Sequence, residues 1–440
     1  DLNALAKSID PDRMTTIAHH GDFDLYEKAG LNDITDIVGW NLYFGWYGAN
    51  FKGLDKFTKN FHEQHPDKGL IIAEYGAGSD PGIHASSPLR FDFSTEWAEK
   101  YHAYYNQHIL STPYITGCNI WNFVDFNSEG RKDAVPHINS KGILKHNREP
   151  KDVYFYYKAS WSGEPVLKIG SMDWQYRAGH ENQREQPVKV FTSASEVTLT
   201  LNGQELATKS VDDHIANFLV PFEEGVNILI ARAIANGKTL VDRLEVDFHL
   251  VPQDLMKAEK DLQINVNLGA HFYFIDDITH EVWLPEQPYQ EGSHGYIGGN
   301  IMKSWGGYRI GVANEIFGSD NEPLYQTMRD SISGYKFDLP DGNYEVTLHF
   351  CELYTSKAME KLVYNLGNDE VEQSNDLSGR NFDIIVNDEL LINDFIIEKD
   401  HWAVQKSFKW IVKDSQGLKI DFNAEAIAPI LNAIKLRRVD

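Results

Sequence analysis

The sequence predicts an α/β module with a parallel sheet or barrel, followed by two all-β modules. Three observations carry that reading. Strand and helix patterns alternate from the start to about residue 162, short alternating strands fill Val166 to about Leu250, and a fresh set of strands begins at INVNLG (264–269). Taken in order, DLNALAKSIDPDRMTT reads as an amphipathic helix and a turn, and MTTIAHH (14–20) and DIVGWNLYFGWY (36–47) as strands. In GLDKFTKNFHEQH (53–65) the apolar Leu54, Phe57 and Phe61 recur at helical spacing. IIAEYG is the next strand, STEWAEKYHAYYNQHIL (94–110) a helix, YITGCNIWNFVDF (114–126) a strand and VYFYYKASW a helix. That rhythm is the one βα units produce.

The second module is expected to be a small β-sandwich, with strands such as VKVFTSA and VTLTL. Asn202-Gly203 and Asn236-Gly237 punctuate it as hairpin turns, because both central positions of a type I′ turn need positive φ. VPQDLMKAEKDLQ (251–263) reads as a connector. The third module contributes YEVTLHF, FDIIVND and GLKIDF, broken by PDGN (340–343). The expected boundaries are 1–162, 163–251, a linker at 252–261, and 262–440. No internal repeat or low-complexity tract stands out.

A chain of 440 residues exceeds what one core usually serves, which agrees with several modules. Its 42 % hydrophobic and 12 % aromatic content is ample for folded cores. The net charge of −24 repels phosphate backbones and anionic lipid, so neither nucleic acid nor a membrane surface is an expected partner. No apolar run approaches the roughly 20 residues of a membrane span. Cys118 and Cys351 form no disulfide framework and no CxxC site. A metal centre needs more than the His19-His20 pair, so neither metal nor cofactor is expected.

Chemistry gathers at the carboxyl ends of the first module's strands, where Asn41, Tyr43, Tyr47, Glu74, Trp121, Asn122 and Asp125 fall. In a barrel that end carries the active site. Glu74, at the end of an apolar strand and just before a glycine-punctuated turn, has two readings. It is a salt-bridged or capping carboxylate, or it is one of the two carboxylates that flank a sugar's anomeric carbon in a glycosidase. The neighbours favour the second. Tyr43, Trp46, Tyr47 and Trp121 offer aromatic faces and Asn122 an amide, the two kinds of group a sugar site requires.

NLYFGWY, IIAEYGAG, IWNFVDF and INSKGILKHNREPKDVYFYYKASW together resemble the second half of the catalytic (β/α)8 barrel of glycoside hydrolase family 2, over essentially all of residues 1–162. HASSPLRF (84–91) and YGAG resemble the bacterial β-galactosidase branch. The resemblance implies retaining hydrolysis with Glu74 as the nucleophile, Tyr43 and Tyr47 on the sixth strand, and Trp121 with Asn122 flooring the pocket on the eighth. The family's acid/base lies in an Asn-Glu pair on the fourth strand. Here Asn-Glu occurs only at Asn314-Glu315 and Asn321-Glu322, far along the chain. The expectation is therefore that this chain works with upstream domains of a longer enzyme and hydrolyses little alone. A β-galactoside of an oligo- or polysaccharide is the first expectation for substrate. A β-glucuronide is the alternative, since Asn139 and Lys141 match an Asn-x-Lys feature that contacts a uronate. A periplasmic or secreted bacterial location is expected by the same resemblance.

VKVFTSASEVTLTLNGQEL resembles the immunoglobulin-like domain that follows such barrels. LYQTMRD, YEVTLHFCELY, RNFDIIVNDELL and LNAIKL resemble malectin-like carbohydrate-binding sandwiches of jelly-roll type, over about 262–440. By that resemblance Tyr325 and Tyr354 are sugar-stacking candidates on one exposed face, with Tyr296 and Glu352 beside them. Thr355 and the apolar AIAP (426–429) depart from the family's pattern. A packing sandwich, and a chain that only binds or scaffolds, are the competing expectations.

Overall fold

The structure is a computed structural model that describes residues 1–440 apart from 49, 129–135, 259–260, 305–306, 308 and 355–378. Its first module contains α1 (Leu2–Ile9), β1 (Thr16–His20), α2 (Phe23–Lys28), β2 (Ile37–Asn41), α3 (Lys52–Gln64), β3 (Gly69–Tyr75), β4 (Ile83–His84), α4 (Thr95–Ser111), β5 (Ile115–Ile120), β6 (Phe126–Asn127), β7 (Ile138–Asn139) and α5 (Asp152–Trp161). The strands β1, β2, β3 and β5 lie in that order in one sheet, all parallel. Parallel pairing needs crossover connections, and α2, α3 and α4 supply them.

Helix spacing explains which faces are inside. In α3 the buried residues are Leu54, Thr58 and Phe61, steps of four and three that line one face. In α4, Ser94 caps the first turn by accepting from Trp97 N at 3.2 Å. One turn apart on that helix, Tyr101 and Tyr105 are fully buried. Tyr105 donates from its hydroxyl to Leu42 O at 3.0 Å and Phe44 O at 3.2 Å, so α4 grips the backbone on both sides of Tyr43.

The second module has a three-stranded sheet (Ile215–Pro221, Glu185–Thr192, Leu167–Ile169) and a five-stranded one (Gln204–Ser210, Glu196–Leu201, Gly225–Ala235, Lys238–Val251, Tyr176–His180) around its own apolar core. Both Asn-Gly turns have the positive φ expected of them. The third module has two larger sheets whose core is continuous with that of the first. One seven-stranded sheet runs from Val404–Val412 through Gly342–Phe350, Ala433–Arg438, Gln263–Asn267, Val282–Pro285 and Tyr273–Ile275 to β4. A strand of the first module thus closes a sheet of the third.

Lys151, at the start of α5, fixes the loops beyond the parallel sheet. Its side chain is 4 % exposed, and its ammonium lies 2.8 Å from Asp125 Oδ2, 3.0 Å from Ser140 O and 3.3 Å from Ser79 O. Burial raises the Asp125 carboxyl and lowers the Lys151 ammonium from their ordinary values, and each shift is opposed by the other group's charge. Lys151→Met should lower stability by about 3–5 kcal/mol, because it leaves a buried carboxylate without its cation. Adding Asp125→Asn should recover part of the loss. Urea titration checks both, and a loss under about 1 kcal/mol for Lys151→Met would show that the pair does not hold these loops.

Candidate active site

Glu74 is the penultimate residue of β3 and pairs in register with Asn41 at the end of β2. Leu42 N donates to Glu74 O at 2.8 Å, which carries β2's register one residue further and sets Tyr43 beside the carboxylate. Tyr43 then donates from its hydroxyl to Glu74 Oε2 at 2.9 Å. The chain turns at once, Trp46 N donating to Tyr43 O at 3.0 Å, so Tyr43 and Tyr47 lie with ring centres 5.2 Å apart. Both sit in the turn after β2 rather than on the strand itself.

On the other flank, Lys141 is 1 % exposed and its ammonium donates to the Tyr47 hydroxyl at 2.8 Å. The ammonium also lies 5.0 Å from the Tyr47 ring centre and 5.8 Å from that of Trp46. Asn139 is wholly buried, and its side-chain carbonyl accepts from Lys141 N at 3.3 Å. Carboxylate, two phenols and ammonium therefore form one connected row.

Trp121 and Asn122 follow β5, joined by a cis peptide. Trp121 N donates to Tyr75 O at 2.7 Å and Asn122 N to Lys141 O at 2.9 Å, which stitches the β5 end to both flanks. Residue 76 has to be glycine: a Cβ there would stand 2.0 Å from Trp121 O. At residue 142 a Cβ would meet Asp125 N at 2.2 Å. The half-buried Trp121 ring meets Phe126 edge-on at 6.2 Å. The sequence-derived site residues Glu74, Tyr43, Trp46, Tyr47, Trp121, Asn122, Asn139 and Lys141 are thus brought to one end of the parallel sheet. Lys151 and Gly76 were not singled out from the sequence; their signal was position inside the same motifs, and burial made it legible.

Comparison with known proteins fits this geometry. The malectin domain family matches residues 263–431, and a domain of unknown function (DUF4982) matches 183–241. A Bacteroides uniformis β-glucuronidase structure superposes with a TM-score of 0.88 at 36 % identity, covering 100 % of this chain and 50 % of that one. Bacteroides uniformis β-glucuronidase 2 covalently bound to cyclophellitol-6-carboxylate aziridine superposes with a TM-score of 0.87 at 36 % identity, over 100 % of this chain and 50 % of that one. A Bacteroides fragilis β-glucuronidase is 33 % identical over 260 residues, which is 56 % of this chain and 36 % of that protein. These matches support a likeness to the C-terminal region of glycoside hydrolase family 2 enzymes that carry a malectin domain. The chain spans half or less of the length of these relatives.

The structure departs from the expected second sugar site. Tyr325 is fully buried, its hydroxyl 2.8 Å from His349 Nδ1 and accepting from Gln405 Nε2 at 2.9 Å. The Arg329 guanidinium lies 3.2 Å above the Tyr296 ring centre and covers that face. Glu352 is 4 % exposed because Arg380 donates to it at 2.6 Å. Tyr354 is half-buried and donates from its hydroxyl to Asp330 at 3.1 Å. These four side chains are turned into the module's own polar networks and make no common open platform. Thr355 lies outside the described residues.

The two Asn-Glu pairs both meet the first module. Glu315 lies 3.4 Å from His137 Nε2, and Glu322 lines a cavity of about 240 Å³ between the first and third modules, with Asp80, Phe93, Asp320 and Arg309. Burial first, then Glu315, raises the Glu322 carboxyl to about 7. A raised value means that folding favours the protonated form. The contribution is full below the unfolded value and lost as pH rises through about 7. Glu322→Gln should therefore match the parent's melting temperature near pH 5 and exceed it above pH 7. Equal melting temperatures across that range would refute the raised carboxyl.

Proposed function

We propose that this chain is the C-terminal portion of a retaining β-glucuronidase, with Glu74 as its nucleophile. The observation that carries the reading is the row from the Glu74 carboxylate through Tyr43 and Tyr47 to the buried Lys141 ammonium. A glucuronide presents an anomeric carbon and a carboxylate on one ring. Glu74 would take the first and Lys141 the second, as a point-charge partner positioned by Asn139. Sequence motifs ranked a β-galactoside ahead of the glucuronide. The named relatives and the buried cation support the reverse order, since a galactoside offers Lys141 only a hydroxyl.

In the proposed reaction Glu74 attacks the anomeric carbon, the glycosidic bond breaks, and water later releases the sugar from the glycosyl-enzyme. The Tyr43 hydroxyl, donating to Glu74 Oε2, holds the carboxylate in place for the attack. An acid/base carboxyl about 5–5.5 Å away would protonate the leaving oxygen. We place it in a barrel half supplied by the rest of the protein. The parallel sheet supports this, because β1 is an edge strand with Ile17 41 % exposed, and Leu2, Leu5, Ile9 and Met14 in the segment before it are well exposed too. Trp121 and Asn122 would contact the sugar ring.

The test is turnover of nitrophenyl β-glucuronide and nitrophenyl β-galactoside by the protein extended to the length of its relatives. Glu74→Gln should abolish turnover of either. Lys141→Met should lower kcat/KM for the glucuronide by about 10–100-fold, the worth of one hydrogen bond to a charged group, and leave the galactoside rate unchanged. Preference for the galactoside, or an equal loss on both substrates, would overturn the uronide assignment.

A further inference from the structure

The sequence sets two histidines side by side at the end of β1, His19 and His20, and the site described above uses neither. Alternation along the strand sends them to opposite faces. His19 is 1 % exposed and belongs to the helix layer, its ring centre 4.2 Å from that of Tyr26 on α2 and 5.1 Å from that of Trp40. His20 is exposed on the other face. That is the face of Glu74. His20 pairs in register with Asn41 and Asn41 with Glu74, so the three side chains stand in a row across three neighbouring strand ends. Two strand spacings put the His20 main chain about 10 Å from that of Glu74.

The row is polar and only partly satisfied. Asn41 Oδ1 is shut off from solvent and has no hydrogen-bond partner among the described residues, an acceptor that a bound molecule would satisfy. The Tyr26 hydroxyl lies 3.4 Å from His20 Nδ1, which steadies the ring by one nitrogen and leaves Nε2 for another partner. A strand added at the free edge of β1 would bond to its main chain within the sheet, and the His20 side chain would still stand out of that plane.

The shape of the proposed substrate decides what reaches His20. In a β-glucuronide the bonds to the leaving group and to the carboxylate are both equatorial, one on each side of the ring oxygen, so they diverge. The segment carrying Lys141 lies beyond β5, Asn122 N donating to Lys141 O at 2.9 Å, at the opposite end of the row of strand ends from β1. The rings its ammonium rests on lean the same way, Trp46 and Tyr47 lying 4.9 Å and 6.3 Å from Phe91 in the loop after β3. With the carboxylate at Lys141 and the anomeric carbon at Glu74, the leaving group runs towards β1.

We infer that His20 is a specificity-determining contact for the leaving group, hydrogen-bonding through Nε2 to a polar substituent one six-membered ring away from the glycosidic oxygen. The substrate class is then the glucuronide of a cyclic alcohol or phenol that carries a hydroxyl at its far end. This inference rests on the glucuronidase reading, which supplies the direction of the leaving group.

The experiment is steady-state turnover, by the protein extended to the length of its relatives, of phenyl β-glucuronide and para-hydroxymethylphenyl β-glucuronide. The two leaving groups are similar in acidity and differ in one hydroxyl. The parent should favour the hydroxymethyl substrate by about 2–10-fold in kcat/KM, the worth of one neutral hydrogen bond, expressed in KM rather than kcat. His20→Ala should erase that preference and leave phenyl glucuronide within twofold of the parent. His20→Gln, which keeps a donor and an acceptor, should restore part of it. No preference in the parent, a preference that survives His20→Ala, or an equal loss on both substrates would overturn the contact. Failure of the glucuronidase reading would show separately, as faster turnover of phenyl β-galactoside than of phenyl β-glucuronide by the parent.

Discussion

The Lys151 ammonium is the interaction on which the rest of the site depends. Four segments that are remote in sequence converge on it: the turn after β3 through Ser79, the stretch after β5 through Asp125, the loop after β7 through Ser140, and α5, which carries it. Taking an ammonium out of water is unfavourable by several kcal/mol, and a single carboxylate rarely offsets that. Here two main-chain carbonyls share the charge with Asp125, and Asp125 is held in turn by Gly142 N at 2.8 Å. The network is worth less as net stability than as register. Each loop has one position in which its acceptor reaches the ammonium, and those positions place Glu74, Trp121 and Lys141 around one space.

The sequence carried the order of the first module's main strands and helices because those have simple patterning, while the short α2, β4, β6 and β7 escaped it. Leu54 and Phe61 are inside as their spacing requires, and the Asn-Gly turns fall at the hairpins. It carried most of the site for a different reason. Strand ends are where a parallel sheet exposes side chains, so polar and aromatic residues at those ends are read correctly without knowledge of any contact. Lys151 escaped because an ammonium beside an acidic helix start looks like a solvated residue until the chain is folded. The third module's tyrosines misled for the converse reason. Tyr325 and Glu352 look exposed by composition, but His349 and Arg380, distant in sequence, supply the partners that make burial affordable.

The three modules are also less separate than a linker reading implies. His84 of β4 pairs with Tyr273 across the shared sheet and stacks on Trp174 of the second module, ring centres 4.9 Å apart and 5° from parallel. Trp174 lies 5.4 Å from the Tyr273 ring and has the Arg177 guanidinium 4.0 Å from its own ring centre. One buried aromatic junction thus touches all three modules. Excising residues 262–440 removes β4 from the sheet it closes, so the third module's behaviour belongs to the whole chain.

If the proposed glucuronide is the substrate, the chain's charge makes its recognition local. A chain carrying −24 repels an acidic glycan at a distance, and at physiological ionic strength that repulsion is screened beyond about 8 Å. Attraction for a uronate cannot come from the overall field. It has to come from a cation close to the sugar and shielded from salt, and Lys141, nearly inaccessible and resting on two aromatic rings, meets both conditions. The aromatic neighbours matter for the same reason. They keep water from the ammonium without adding negative charge, so a substrate carboxylate gains more from the pairing than it would at an exposed lysine. On the proposed reading, a cation sheltered at this site would discriminate by contact, admitting a uronate whose ring also fits against Glu74 and leaving other polyanions outside.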